Sequence, residues 1–287
     1  MPASDATEHS VSTPHGRISA VDHAGEEPAF VLLHGYPDDS HGYEKLVPEL
    51  RPRRVVTVDF LGYGDSERSQ TRPMDAGQRT AETAAVMDQM GIGQAVLVGH
   101  DGGGPVAVDY TRQNPDRVAK LALMNCYYGH SDTLTFPDLI QLFSDAPLAD
   151  LTDGLLGDPA QALWLLAHTA AQLGYDVSEE ILTRAVQPQF FGSSEQTDAL
   201  AAIRAWTARI PMDLDAQDQV ISDGGLAAVR TPVEVVFGAQ DHYLDPDVAR
   251  HLAGLFPDAR LTLVEGARHW VQSDRSQEVA SVLREAA

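Results

Sequence analysis

The stretch Ala95-Val-Leu-Val-Gly-His-Asp-Gly-Gly-Gly-Pro-Val-Ala-Val108 constrains the fold of this chain more than any other. An apolar β-type run, Ala95 to Val98, meets Gly99-His100-Asp101-Gly102-Gly103, and helix-compatible residues begin at once behind Pro105. Strand, sharp turn and helix in that order form a nucleophile elbow, Gly-x-nucleophile-x-Gly, in which a strained turn lifts the central side chain above a parallel sheet. The central residue here is Asp101. Small flanking residues are a steric need, because the backbone doubles back and the helix packs close to its strand. Gly102-x-Gly104-x-x-Ala107 also fits a loose dinucleotide fingerprint. That reading requires an acidic residue at the end of the next strand, and the run from Val118 to Met124 ends in Asn125-Cys126 instead.

Around this turn, short buried-type strands alternate with helices, the pattern of a mostly parallel twisted sheet covered on both faces. Arg17 to Asp22, Ala29 to Leu33, Arg54 to Phe60, Pro232 to Phe237 and Arg260 to Val264 read as strands. Ala81 to Met90 and Ser276 to Ala287 read as helices. From His130 to about Ile221 the strand signal vanishes, and Pro159 to Leu173 and Asp198 to Ile210 carry helical apolar spacing. The chain therefore divides into a loose N-terminal tail (1–13), a core (14–129 and 222–287) and an inserted helical cap (130–221).

Three residues stand at strand ends in the chain order nucleophile, acid, base: Asp101, Asp241 after Gly238-Ala-Gln, and His269 after Glu265-Gly-Ala-Arg. Together with the turn His34-Gly35-Tyr36-Pro37, this resembles the α/β-hydrolase superfamily over nearly the whole chain, with Asp in place of the usual Ser. The Asp narrows the resemblance to the epoxide hydrolase and haloalkane dehalogenase branches. A carboxylate attacking an ester carbonyl would give a high-energy anhydride, whereas attack at saturated carbon leaves a stable alkyl ester. The resemblance implies that Asp101 is the nucleophile, that His269 activates water against its ester, and that Asp241 orients His269. It also implies an oxyanion hole from the backbone N–H groups of Tyr36 and Gly102. Where some dehalogenases place the acid after the strand that follows the elbow helix, this chain has Asn125, which cannot carry that charge.

The resemblance leaves the leaving-group chemistry open. Haloalkane dehalogenases usually have a halide-binding Trp directly after the nucleophile and often an Asn after the His-Gly turn; these positions are Gly102 and Tyr36. Fluoroacetate dehalogenases carry an Arg after the nucleophile, also missing. Epoxide hydrolases share the His-Gly-x-Pro turn and use two cap tyrosines, at positions taken here by Phe143 and Thr207. Tyr127, Tyr128 and Tyr175 are substitutes, and Trp164, Trp206 and Trp270 are further pocket candidates. His34 and His100 flank the turns, and no metal-ligand spacing accompanies them. The reading places epoxide hydrolysis first and dehalogenation second, without cofactor or metal, and keeps a biosynthetic general-base enzyme or a silent binding protein of the same fold as alternatives.

Composition bounds the partners. Twenty Lys and Arg against forty-two Asp and Glu give a formal charge of -22, which disfavours nucleic acid and anionic membrane surfaces. The same acidity also suits a solubility device or an adaptation to salt. A small apolar substrate and water are the expected partners. No apolar run approaches the roughly 18 residues of a membrane span, no secretory signal is visible, and a single cysteine, Cys126, suits a reducing compartment, so a cytoplasmic location is expected. Oligomeric state is not legible.

Overall fold

A computed structural model describes residues 6–68, 75–191 and 196–285. Among the described residues the strands are β1 (Ala6–Thr13), β2 (Gly16–His23), β3 (Glu26–Leu33), β4 (Arg53–Val58), β5 (Ala95–His100), β6 (Val118–Met124), β7 (Val233–Gly238) and β8 (Ala259–Val264). They form one eight-stranded sheet in the order β1-β2-β4-β3-β5-β6-β7-β8. β1 with β2 and β2 with β4 are antiparallel; from β4 through β8 every pair is parallel.

Strand residues alternate between two apolar layers, so the central strands read as unbroken hydrophobic runs. Phe30, Leu32, Val96, Val98 and Val236 face Leu46, Leu50, Val279 and Leu283 on one side. Val31, Leu33, Leu97, Leu123 and Val235 face Val86, Val106, Tyr110 and Leu252 on the other. Each such side chain, fully removed from water, contributes about 1.5–3 kcal/mol relative to exposure. The covering helices are α1 (Ala76–Gln89), α2 (Gly103–Gln113), then α3 (Asp138–Ser144), α4 (Ala149–Gly157), α5 (Pro159–Gln172), α6 (Gln187–Phe191), α7 (Gln196–Thr207) and α8 (Ile210–Ser222) between β6 and β7, and finally α9 (Pro246–Gly254), α10 (Val271–Asp274) and α11 (Ser276–Glu285). α1 begins five residues before the apolar spacing at Ala81, because the Asp75 carboxylate accepts from the Gln78 amide and caps it. The last two residues of the expected terminal helix lie outside the described residues, as do residues 1–5 of the expected tail.

The remainder of that tail is corrected: residues 6–13 are an edge strand paired along its full length with β2. Its exposed, polar face hides the β-pattern, since only Val11 is buried. The hairpin closes through Thr13, whose hydroxyl donates to the Gly16 carbonyl and accepts from the His15 and Gly16 amides. Backbone ladder and turn hold this strand, and apolar content does not reveal them.

All the strands that matter for chemistry end on one edge, where open α/β sheets place their sites. Beyond β3 lies His34-Gly35-Tyr36, beyond β5 Asp101, beyond β6 Asn125, beyond β7 Asp241 and beyond β8 His269.

Candidate active site

Asp101 sits in the turn between β5 and α2 with φ 45, a left-handed conformation that costs a non-glycine residue energy. Close packing on all sides holds it there. A Cβ on Gly103 would lie 2.5 Å from the Leu33 and His34 carbonyl oxygens, and one on Gly104 would lie 2.5 Å from Cys126 Sγ. Gly35 permits the approach of Asp101 itself, whose Cβ would be 2.5 Å from any Cβ there. With that approach made, the Tyr36 amide donates to Asp101 Oδ2 at 2.8 Å. Burial pushes the Asp101 carboxyl up to about 6, against the opposing pull of His269 and of the Gly102 and Tyr36 amides.

His269 Nδ1 donates to Asp241 Oδ2 at 2.8 Å. Burial disfavours the imidazolium, but the Asp241 carboxylate outweighs burial and Asp101 adds to it, so the His269 pKa is raised to about 9. Asp241 is a saturated acceptor: Oδ1 takes the Tyr243 and Leu244 amides, and Oδ2 takes Asn125 Nδ2 at 2.8 Å besides His269. Burial alone would raise Asp241; His269 and these donors hold it below the usual carboxylate range. Asn125, itself at φ 34, also accepts the Gly238 amide at 2.9 Å and so ties the end of β6 to β7. Sequence reasoning set Asn125 aside as unable to carry the acid's charge. Its role as a donor to the acid needs the spatial adjacency of β6 and β7, which no local pattern reports.

Asp101 and His269 line one cavity. Its remaining walls are mostly apolar: Pro37, Phe136, Pro137, Leu139 and Ile140 from one side, Leu166, Ala170, Leu173, Leu182 and Val186 from another, with Leu244 and Trp270 below. Tyr36, Tyr243, Thr135 and Thr169 are the hydroxyl-bearing residues of the lining. Tyr243 was not anticipated; it follows Asp241 by two residues, and only the turn that its amide makes onto that carboxylate brings its ring to the wall.

Of the aromatic and histidine pocket candidates, Trp270 lines the cavity and the others do not. Trp164 is 62% exposed and stacks on His168; it stands two residues before Leu166, on the opposite face of α5. Phe143 is buried in the core one turn beyond Leu139. Tyr128 donates to Asp109 on α2 at 2.7 Å, and Tyr127 packs edge-on against Phe136, which makes the wall in its stead. Tyr175 donates to Asp274 and accepts from the Trp270 amide, behind the cavity. His34 Nδ1 donates to the Gly35 carbonyl and Nε2 accepts from the Phe60 amide, which makes it a neutral brace of the turn. His100 Nε2 donates to the His269 carbonyl at 3.0 Å; burial and the nearby His269 lower its pKa to about 4. Trp206 lies against Gly102, where a Cβ would come within 2.7 Å of its ring, and the Arg79 guanidinium covers it at 3.8 Å. One further carboxylate escaped the sequence reading: buried Asp38 accepts from Trp270 Nε1 at 2.7 Å.

Among the described residues no group of three or more His, Cys, Asp or Glu is arranged to hold a metal ion, and no helix is long and apolar enough to cross a membrane.

A parallel sheet with an elbow after β5 and a His–carboxylate pair after β7 and β8 defines the class. The profile of the alpha/beta hydrolase fold matches residues 28–276, and the chain belongs to that family and is a hydrolase of that fold. Its relatives include haloalkane dehalogenase 2 of Mycobacterium tuberculosis, 27% identical over 281 residues that cover 94% of this chain and 91% of that protein. Epoxide hydrolase A of the same organism is 25% identical over 319 residues, covering 97% and 96%. Similar solved structures include an alpha/beta hydrolase fold protein from Burkholderia ambifaria (TM-score 0.77, 22% identity, 97% and 100% of the two chains) and epoxide hydrolase A from Mycobacterium thermoresistibile (TM-score 0.70, 24% identity, 98% of each).

Proposed function

We propose that the protein opens a small apolar electrophile at saturated carbon through an alkyl ester on Asp101, with an epoxide as the substrate class and the helices between β6 and β7 acting as the cap. The observation that carries this reading is the paired geometry of Asp101, its Oδ2 held by the Tyr36 amide, and His269, bound to Asp241, on the wall of one apolar cavity. With Oδ2 held, Oδ1 is the oxygen that attacks. The new bond joins Oδ1 to the substrate carbon, the epoxide C–O bond breaks, and its electron pair leaves on oxygen. A phenol of the wall supplies the proton; burial keeps Tyr36 well above the ordinary phenol range, so it is a neutral O–H donor.

Esterification then changes the electrostatics in the direction the second step needs. The Asp101 charge is one of those that raise His269, and forming the ester removes it. His269 becomes easier to deprotonate, and the proton it gives up balances the one taken by the alkoxide. Neutral His269 takes a proton from water, the water oxygen attacks the ester carbonyl, and the oxyanion forms where Oδ2 already meets the Tyr36 amide. Collapse expels the diol oxygen, which takes the proton from His269, and the remaining proton of the attacking water passes from the Asp101 carboxyl to His269, restoring the carboxylate and the imidazolium. Neither Lys nor Arg is among the cavity-lining residues to pair with a substrate carboxylate, which supports a neutral substrate.

Dehalogenation is the second reading, and Trp206 is the observation that favours it. Its Nε1 lies 3.4 Å from where a Cβ at residue 102 would sit, so an indole stands beside the nucleophile although residue 102 is glycine.

His269→Gln separates these readings by intact-protein mass after exposure to styrene oxide, 1,2-epoxyhexane and 1-haloalkanes. The expected result is a stalled adduct equal to the whole epoxide. An adduct equal to an alkyl group without halogen selects dehalogenation, and no adduct across the panel in a folded variant contradicts the covalent reading. The adduct should form faster as pH rises, with its acid limb above 6, because the variant lacks the imidazolium that lowers the Asp101 pKa.

A further inference from the structure

His269 is held by its neighbours as well as by Asp241, and one of those holds comes from the helical segment between β6 and β7. Gly174, at φ 79, ends the α5 region and turns the chain toward the loop after β8. Tyr175 follows, and its buried hydroxyl accepts from the Trp270 amide at 2.9 Å and donates to Asp274 Oδ2 at 3.1 Å. Its ring meets the Trp270 ring edge-on at 5.0 Å and lies under the Arg268 guanidinium at 3.6 Å. Arg268 completes the connection: Nη1 donates to the Gly174 carbonyl at 2.7 Å, both terminal nitrogens reach the Glu179 carboxylate, and Nε and Nη2 reach Asp274. The residues on either side of His269 are thus both tied to the segment 174–179.

We propose that Tyr175 is a positioning residue for His269, by which the docked helical segment sets the backbone that carries the base. The proposal rests on the covalent reading above and assigns Tyr175 to its second step alone. Asp101 takes its place from β5, α2 and the Tyr36 amide, none of which bonds to Tyr175. The imidazole, by contrast, projects from a backbone fixed at residue 270 by the Tyr175 oxygen and at residue 268 by Asp274 and the segment. Removing the phenol oxygen strands the Trp270 amide and frees the loop to shift. A misplacement of about 1 Å in a reacting group costs roughly 100-fold, which sets the scale of the expected loss.

The test uses the full chain with whichever of styrene oxide or 1,2-epoxyhexane is captured by His269→Gln. Rapid-quench mass spectrometry of Tyr175→Phe during turnover should show ester formation within about twofold of wild type and ester hydrolysis slowed by roughly 10- to 100-fold, so that the ester accumulates. Glu179→Gln, which weakens the Arg268 tie at a half-exposed position, should slow the same step to a smaller degree. A melting temperature measured for each variant separates loss of fold from loss of position. Equal slowing of both steps, or a lower melting temperature with an unchanged ester-to-free ratio, overturns the positioning role while the adduct in His269→Gln leaves the covalent reading standing. Absence of that adduct as well overturns both.

Discussion

Asp101→Ala is expected to lower kcat by about five to six orders of magnitude, the scale seen when a nucleophile that acts as one unit with its base is deleted. The oxyanion amides do not rescue the variant, since without an ester there is no carbonyl for them to polarise. The loss should lie in chemistry and not in folding. Ala fits inside the volume of Asp, Gly35 already leaves room for a Cβ at residue 101, and the variant no longer buries a carboxyl whose pKa is pushed up to about 6. Turnover measured beside thermal melting checks this: the account expects near-complete inactivation with a melting temperature close to that of wild type. Turnover that persists would move Asp101 out of the covalent role.

Asp241→Asn carries the second-largest expected effect, a loss of about 10⁴-fold in the hydrolytic step. Four donors converge on the two carboxylate oxygens: the Tyr243 and Leu244 amides on Oδ1, and His269 Nδ1 and Asn125 Nδ2 on Oδ2. An amide side chain offers one acceptor. Whichever way it is flipped, an NH₂ faces two donors, and His269 loses either its tautomer or its orientation. The charge goes too, and since Asp241 is the main group that raises His269, the His269 pKa falls in the variant. The acid limb of ester hydrolysis should therefore move to lower pH even as its plateau drops. Stopped-time mass analysis across pH reads both changes, with ester accumulating because the first step does not use Asp241.

The sheet and the strand-end placement of Asp101, Asp241 and His269 were legible because they rest on local signals. Buried parallel strands are continuous apolar runs, and the residues that end them are short, polar or glycine; Asp101, Asp241 and His269 each follow such a run. The cavity wall was much less legible. Trp164 and Leu166 stand two residues apart on the same helix, yet one is exposed and the other lines the cavity, and composition cannot say which face of α5 turns inward. Tyr243 and Asn125 reach the site through pairings between elements far apart in sequence. Edge strand β1 was missed for the opposite reason: its stability comes from a backbone ladder and a Thr13 turn, which leave little hydrophobic trace.

The most direct measurement of the central claim is a single turnover of wild-type enzyme, in excess over an epoxide, in H₂¹⁸O. The ester mechanism predicts that the first diol carries an unlabelled oxygen taken from the Asp101 carboxylate, while the peptide containing Asp101 gains ¹⁸O. A labelled first product with an unlabelled Asp101 peptide would mean that water attacks the substrate directly, with Asp101 acting as a base, and would contradict the account.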